Sequence, residues 1–136
     1  MTLMICIDGR GGILFNGRRQ SQDRLLRADL LREAAGHRLW MSEYSARQFS
    51  MEAPDNLSIS EAPLEQMSSE DFCFAEDLPL QPLLEHADRL LLYCWNRAYP
   101  ADRSLQLPLD DLWKLLRREE FAGSSHEKIT KELYAR

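Results

Sequence analysis

The chain has 136 residues and a mass of 15.8 kDa, with 44% hydrophobic and 29% charged residues. This composition excludes collagen-like, low-complexity and disordered chains, and no apolar run reaches the roughly 18–20 residues that a membrane-spanning helix needs. The length predicts a single domain over residues 1–136. Because the first eight residues lack the basic region of a signal peptide, we expect a cytoplasmic protein with no membrane partner.

The net charge of −5 is unevenly distributed. Residues 1–38 contain seven arginines and four acidic residues, whereas residues 39–94 contain two basic and eleven acidic residues. Nucleic-acid binding rests on a basic face that neutralises phosphates, so the acidic total argues against a nucleic-acid partner. The arginine-rich first segment can still hold one small anion.

The cysteines and histidines do not form a metal-binding pattern. Cys6, Cys73 and Cys94 each lie inside an apolar run without a CxxC motif, which predicts buried, reduced thiols on strands. The three histidines are scattered along the chain, so we expect no metal site.

Hydrophobic patterning predicts strands that alternate with short helices. Apolar runs predict strands at 3–7, 38–41, 56–60, 71–75 and 89–95. An amphipathic helix is predicted over 21–35, with Ser21 as its N-cap and Gly36 as its stop, and shorter helices are predicted over 43–49 and 78–86. Turns are predicted at Gly9–Gly12 and Asn16–Gly17, and a helical turn at Pro63. The segments 112–121 and 126–134 suit an antiparallel hairpin, with a helical tail as the alternative. This order predicts an α/β sandwich on a mixed sheet.

Five stretches, in this order, resemble dihydrofolate reductase: MICIDGRGGILFNG, QDRLL, RLWMSEYSARQF, ADRLLLY and FAGSSHEKITKELYAR. The resemblance implies a three-layer sandwich with a mainly parallel sheet and a C-terminal antiparallel hairpin. It also implies that the first strand lies between the fourth and the fifth, which puts the three cysteines on neighbouring strands. The stretches FN-x-RRQSQDR and SHEKITKE resemble a group of short bacterial proteins, some of them labelled ribonuclease Z, but the His-x-His-x-Asp-His metal motif of that enzyme is absent.

The sequence departs from the reductases where they hold NADPH. The resemblance places a Gly-Gly pair near the cofactor pyrophosphate, and this chain has Ala75, Glu76 and Asp77 there. Ser42-Glu43 stands in place of a Gly-Arg pair, and the Leu-Pro-Trp segment of the substrate loop is missing. Carboxylates repel a pyrophosphate by about 4 kcal/mol for each close pair at an effective dielectric near 20. We therefore expect no NADPH cofactor in the family's mode of binding.

The resemblance also suggests a candidate acid. Asp23 corresponds to the family's acid at the start of the first helix, which assists protonation of the substrate, and Tyr93 corresponds to a Thr near that acid. The hypothesis is that both line one pocket with a polar base. The alternatives are that Asp23 complements the helix dipole and that Tyr93 is a core tyrosine with a satisfied hydroxyl group.

The run from Arg18 to Asp23 is the densest polar segment without a predicted role in the core. Its position before a helix N-terminus suits a small anion, with Arg18, Arg19, Gln20 and Asp23 as polar contacts and with Tyr44 and Tyr93 as walls. A solvated loop is the alternative. The Ser124-Ser125-His126-Glu127 run resembles a nucleophile beside a base, but strand neighbours point to opposite faces, which favours a hairpin turn.

The sequence therefore predicts a binding module for a small anionic molecule or for an acidic segment of a protein partner, and leaves open whether the protein is a homo-oligomer. The alternative is an NAD(P)H-dependent reductase of a pteridine or related heterocycle that holds its cofactor differently.

Overall fold

Ten strands and three helices make up the structure, a computed structural model that describes residues 1–136. The strands are β1 (Thr2–Ile7), β2 (Gly12–Phe15), β3 (Arg18–Arg19), β4 (Leu39–Met41), β5 (Leu57–Ile59), β6 (Phe72–Phe74), β7 (Arg89–Cys94), β8 (Arg103–Ser104), β9 (Lys114–Phe121) and β10 (Ile129–Ala135). The helices are α1 (Arg24–Glu33), α2 (Glu43–Arg47) and α3 (Leu80–His86), with a 3₁₀ turn at Pro63–Glu65.

Seven strands form one sheet in the order β5-β4-β6-β1-β7-β10-β9. The first five of these run parallel to one another, and β10 and β9 form the antiparallel hairpin at the edge. The prediction of a mainly parallel sheet that ends in a hairpin is confirmed, and the helical alternative for the tail is wrong. The first strand lies between β6 and β7, as expected, so the three cysteines occupy neighbouring strands. Cys6 and Cys73 are buried, but Cys94 is only half-buried.

Side chains of β1 alternate between the two faces of the sheet, and this alternation creates two separate cores. Leu3, Ile5 and Ile7 pack on one face in a cluster that includes Leu83 of α3. Met4 and Cys6 pack on the other face in a cluster that includes residues of α1 and α2. Burying a Leu or Ile side chain contributes about 1.5–3 kcal/mol, so the two cores hold a helical layer on each side of the sheet. The three-layer sandwich is confirmed.

The first helix begins later than predicted. Asp23, not Ser21, is its N-cap, and the Asp23 carboxylate accepts hydrogen bonds from the backbone N–H groups of Leu25 and Leu26. The helix extends from Arg24 to Glu33 rather than over 21–35. Gly36, which was predicted to stop it, has a φ of +84°, where a residue without Cβ is favoured. The other predicted elements occur with ends shifted by one to three residues.

A second, three-stranded sheet in the order β3-β2-β8 was not predicted. Its β2–β3 turn consists of Asn16 and Gly17, both with positive φ, as a tight hairpin turn requires. Strands of two residues are too short to show a periodic pattern, so the sequence does not predict β3 or β8. No helix in the structure is long and apolar enough to cross a membrane.

Candidate functional site

Strand β3 places two neighbouring arginines in different surroundings. Successive side chains on a strand point to opposite faces, so Arg18 and Arg19 separate. Arg18 is exposed and forms no ion pair. Arg19 is half-buried, and its guanidinium lies over the ring of Tyr44 at 4.3 Å from the centroid. The backbone N–H of Arg19 also donates to the Tyr44 hydroxyl at 2.8 Å. Tyr44 therefore contacts the predicted loop, through Arg19.

The Arg19 guanidinium is engaged by Glu76, which follows β6. Nε and Nη2 of Arg19 each lie 3.1 Å from one carboxylate oxygen of Glu76, a bidentate pair. Ser45 Oγ and Gln48 Nε2 also donate to this carboxylate, at 2.7 and 3.2 Å. Glu76 is 6% exposed, so its charge is buried and fully paired.

The remaining acids near the first turn of α2 are also engaged. Asp77 is exposed and accepts a hydrogen bond of 2.6 Å from Ser42 Oγ. The Ser42 side chain caps α2 by accepting from the Ser45 N–H. Glu43 is exposed in the first turn, where a negative charge complements the helix dipole, and it pairs with Arg47 at 3.5 Å.

Gln20 joins the loop to the end of β1. Its Nε2 donates to Asp8 Oδ2 at 3.0 Å and to the Pro100 carbonyl at 3.3 Å, while its buried Oε1 has no partner. Burial raises the pKa of Asp8, but backbone N–H groups of Arg10, Gly12 and Tyr99 donate to its carboxylate and lower the pKa below its usual value. Asp8 therefore fixes three chain segments around one charge.

Asp23 connects the start of α1 to the turn between β9 and β10. Its carboxylate accepts from the backbone N–H groups of Ser124 and Ser125 at 2.9 and 2.8 Å. Burial would raise its pKa, but these bonds and that from His126 outweigh burial and hold the pKa well below its usual range. A Cβ on Gly123 would lie 2.4 Å from Asp23 Oδ2, so only glycine permits this approach. Asp23 is ionised and enclosed.

His126 belongs to this turn, and it is buried, with 4% of the residue exposed. Its Nδ1 is 3.1 Å from Asp23 Oδ2, and its Nε2 is 3.2 Å from Ser21 Oγ and 3.1 Å from the Tyr99 hydroxyl. The ring of Trp95 stacks on the imidazole with centroids 4.5 Å apart. The favoured interpretation of Ser124–Glu127 as a hairpin turn is correct. His126 lies within hydrogen-bonding distance of its neighbour Ser125 and also of Ser21, which is more than 100 residues away in sequence.

Tyr93 does not share a pocket with Asp23, so that hypothesis is corrected. Its side chain is fully buried, and its hydroxyl donates to Asp29 at 2.7 Å. Asp29 also accepts from Lys131 Nζ at 2.9 Å, and the same Nζ is 2.7 Å from Glu33. Burial and the Asp29 charge raise the pKa of Tyr93 far above its usual value. The acid beside Tyr93 is thus Asp29, on α1 one and a half turns beyond Asp23.

A cavity of about 290 Å³ lies between the β2–β3 hairpin and the loop after β7. It is lined by Phe15, Asn16, Arg18, Arg19, Gln20, Tyr99 and Pro100. A second cavity, of about 400 Å³, shares Phe15, Tyr99 and Pro100 with the first and adds the exposed Arg10. The two adjoining cavities are here called the hairpin cleft. Each is lined by one arginine without an ion pair, Arg18 in the first and Arg10 in the second.

The cleft contains three of the predicted site residues, Arg18, Arg19 and Gln20, and excludes the buried Asp23 and Tyr93. Sequence reasoning missed Asp8 and Asp29. A signal existed for Asp8 alone, since an acid directly after a buried parallel strand lies at the sheet edge where ligands bind in α/β folds.

Comparison with known proteins identifies the fold. No protein-family model and no curated protein matches the chain. Among solved structures, the chain is similar to a dihydrofolate reductase from Enterococcus faecalis complexed with NADP(H) and RAB-propyl, with a TM-score of 0.65 and 11% identity. The match covers 99% of this chain and 95% of the reductase. The protein is thus an α/β sandwich, and its fold is that of dihydrofolate reductase. At this identity the likeness establishes the fold alone.

Proposed function

We propose that this protein is a binding module for a small anionic molecule, and that it does not bind NADPH in the manner of the reductases. The observation that carries the proposal is the exposed, unpaired guanidinium of Arg18 at the wall of the hairpin cleft. Arg19 also lines the cleft, but its charge is neutralised by Glu76, so its role there is structural.

The chemistry of the cleft favours an anion with a flat apolar part. Phe15 is 44% exposed, and with Tyr99 and Pro100 it offers an apolar wall for a ring or a sugar face. Arg18 lines the first cavity and Arg10 lines the second, and each can form forked hydrogen bonds to a phosphate or carboxylate. A nucleotide, a sugar phosphate or a pteridine with a carboxylate tail has both features.

The argument against NADPH rests on Glu76. Where the resemblance places a Gly-Gly pair beside the pyrophosphate, the Glu76 carboxylate already accepts hydrogen bonds from Arg19, Ser45 and Gln48. A pyrophosphate there would have to displace a buried, paired carboxylate, and removing one partner from such a pair costs about 3–5 kcal/mol. Asp77 likewise engages the Ser42 hydroxyl at the first turn of α2.

A thermal-shift screen of nucleotides, sugar phosphates and pteridines tests the proposal. A ligand at about 100 times its dissociation constant adds roughly 2.7 kcal/mol to the free energy of unfolding. The stabilisation by a hit should be lost in Arg18→Ala and retained in Arg89→Ala, which removes an exposed arginine at the start of β7. Equal stabilisation of both variants would place the ligand elsewhere, and stabilisation by NADPH with turnover of a pteridine would favour the reductase alternative.

A further inference from the structure

We infer that Ser21 and His126 form a hydrolytic site for esters, with Asp23 as the residue that positions the imidazole. The site adjoins the hairpin cleft, and the inference rests on the proposed function only for binding the charged part of a substrate. Two segments that are distant in sequence supply its residues. Ser21 and Asp23 precede α1, and His126 precedes β10.

The three side chains meet through the atoms that nucleophilic catalysis uses. Asp23 Oδ2 lies 3.1 Å from His126 Nδ1, and His126 Nε2 lies 3.2 Å from Ser21 Oγ. A carboxylate that holds Nδ1–H leaves Nε2 of the neutral ring as an acceptor, directed at a hydroxyl group. Trp95 stacks on the imidazole and prevents the ring from turning away.

Burial differs between the members of the site as catalysis requires. The side chains of Asp23 and His126 are 0% and 2% exposed, so the imidazolium formed when His126 takes a proton would interact with the Asp23 carboxylate with little screening by water. Ser21 is half-buried, so part of this residue is open to a substrate. The side chains of His126 and Asp23 remain enclosed.

Donors for a developing negative charge lie beside Ser21. The backbone N–H groups of Ser21 and Gln22 donate to no acceptor within the protein. They immediately precede the N-terminus of α1, whose dipole favours negative charge. Free N–H groups at and after a nucleophile stabilise the oxyanion of an acyl-transfer reaction.

Tyr99 connects the site to the hairpin cleft. Its hydroxyl lies 3.1 Å from His126 Nε2, and its side chain lines both cavities. An ester whose anionic end is bound by Arg18 would thus lie beside the residues that flank Ser21. Tyr99 and Ser21 share His126 Nε2 as their hydrogen-bond partner, so the covalent labelling described below must show which of the two hydroxyl groups reacts.

The reaction balances with water alone as the co-reactant. Ser21 Oγ attacks the carbonyl carbon of an ester and transfers its proton to His126 Nε2, and the C=O electron pair moves to oxygen. The pair returns, the C–O bond to the alcohol breaks, and the leaving oxygen takes the proton from Nε2. Water then attacks the acyl carbon and gives a proton to Nε2. Finally the Ser21–acyl bond breaks, and Oγ recovers that proton as the acid leaves.

The test is covalent labelling with an uncharged fluorophosphonate, in which Ser21 Oγ forms a bond to phosphorus and fluoride leaves. We expect one label per chain, located on Ser21 by peptide mass spectrometry. Ser21→Ala should abolish labelling with its melting temperature unchanged, and Ser69→Ala, an exposed serine without a histidine partner, should label as the wild type does. Labelling on Tyr99, equal labelling of both serine variants or no labelling of folded wild type would overturn the inference.

A second measurement separates this inference from the proposed function. Hydrolysis of p-nitrophenyl acetate, which has no anionic group, should be lost in Ser21→Ala and unchanged in Ser69→Ala. If Ser21→Ala loses ester hydrolysis but still binds an anion that Arg18→Ala does not bind, both proposals stand. If the wild type binds the anion through Arg18 but neither labels nor hydrolyses the ester, the binding proposal stands and the hydrolytic site is refuted.

Discussion

The guanidinium of Arg19 and the carboxylate of Glu76 form a bidentate ion pair with two contacts of 3.1 Å, across 57 residues of sequence. The pair joins the β2–β3 hairpin to the end of β6, where the resemblance to dihydrofolate reductase predicts a phosphate site. Its neighbour Arg18 has no such partner. Because Arg19 is paired and Arg18 is not, Arg18 is the one of these two adjacent arginines whose charge is free to bind an anion.

Replacing Arg19 should destabilise the protein far more than replacing Arg18. Arg19→Ala leaves a buried carboxylate without its cation, which costs about 3–5 kcal/mol. Arg18→Ala removes an exposed side chain without an ion pair and should change stability by no more than about 0.5 kcal/mol. Urea denaturation of both variants measures the difference. Similar losses in the two variants would mean that the Glu76 pair does not hold the hairpin.

Two lysines of the C-terminal hairpin, one buried and one exposed, allow a second comparison of this kind. Lys131 is 5% exposed and bonds to Asp29 and Glu33, whereas Lys128 is exposed and only approaches Glu120, at 3.6 Å. Lys131→Met should lower the free energy of unfolding by about 3–5 kcal/mol because it removes a buried cation from the buried carboxylate of Asp29. Lys128→Met should lower it by less than about 1 kcal/mol. Chemical denaturation at pH 7 distinguishes the two, and equal effects would contradict the buried cluster.

The stabilising effect of Asp23 should depend on pH. Its pKa in the folded protein lies below the unfolded value of about 3.9, so its ionised form stabilises the fold at every pH above that value. The contribution is lost as pH falls through the folded pKa. Asp23→Asn should be less stable than the wild type by about 2 kcal/mol at pH 7, since hydrogen bonds to a charged group contribute about 1.5–3 kcal/mol each.

That difference in unfolding free energy should remain constant down to about pH 5 and shrink below about pH 4. Thermal or urea unfolding of wild type and Asp23→Asn across pH 3–7 measures it. Asp55→Asn, which removes a carboxylate from the turn before β5, serves as the control and should show no such convergence. A difference that is the same at pH 3 and at pH 7 would show that the Asp23 charge contributes nothing.

The sheet could be predicted from the sequence because its information is local. Runs such as LMICI and LLLYCW are apolar over five or six residues, and this is sufficient to place a buried strand. The resemblance to dihydrofolate reductase supplied the strand order, which no run contains. The strand ends were less accurate because a strand ends where its neighbour stops offering backbone partners.

The site was only partly predictable, for physical reasons that its residues illustrate. The density of charge over 18–23 is visible in the sequence, but the burial of Arg19 against Glu76 depends on how two distant segments pack. The His126–Asp23 contact joins residues 103 positions apart, and the Tyr93–Asp29 contact joins residues 64 apart. The sequence is compatible with Asp23 as a free acid or as a partner of the helix dipole, and its enclosure follows only from the packing of the β9–β10 turn against it.

The most direct test of the central claim, that the protein's own carboxylates have replaced the phosphate site of the reductases, is a calorimetric titration of the wild-type protein with NADPH. A dihydrofolate reductase titrated under the same conditions serves as the positive control. We expect no saturable heat up to millimolar NADPH, because Glu76 engages the donors that a pyrophosphate would need. A dissociation constant in the micromolar range or below, about −8 kcal/mol or better, would contradict the account.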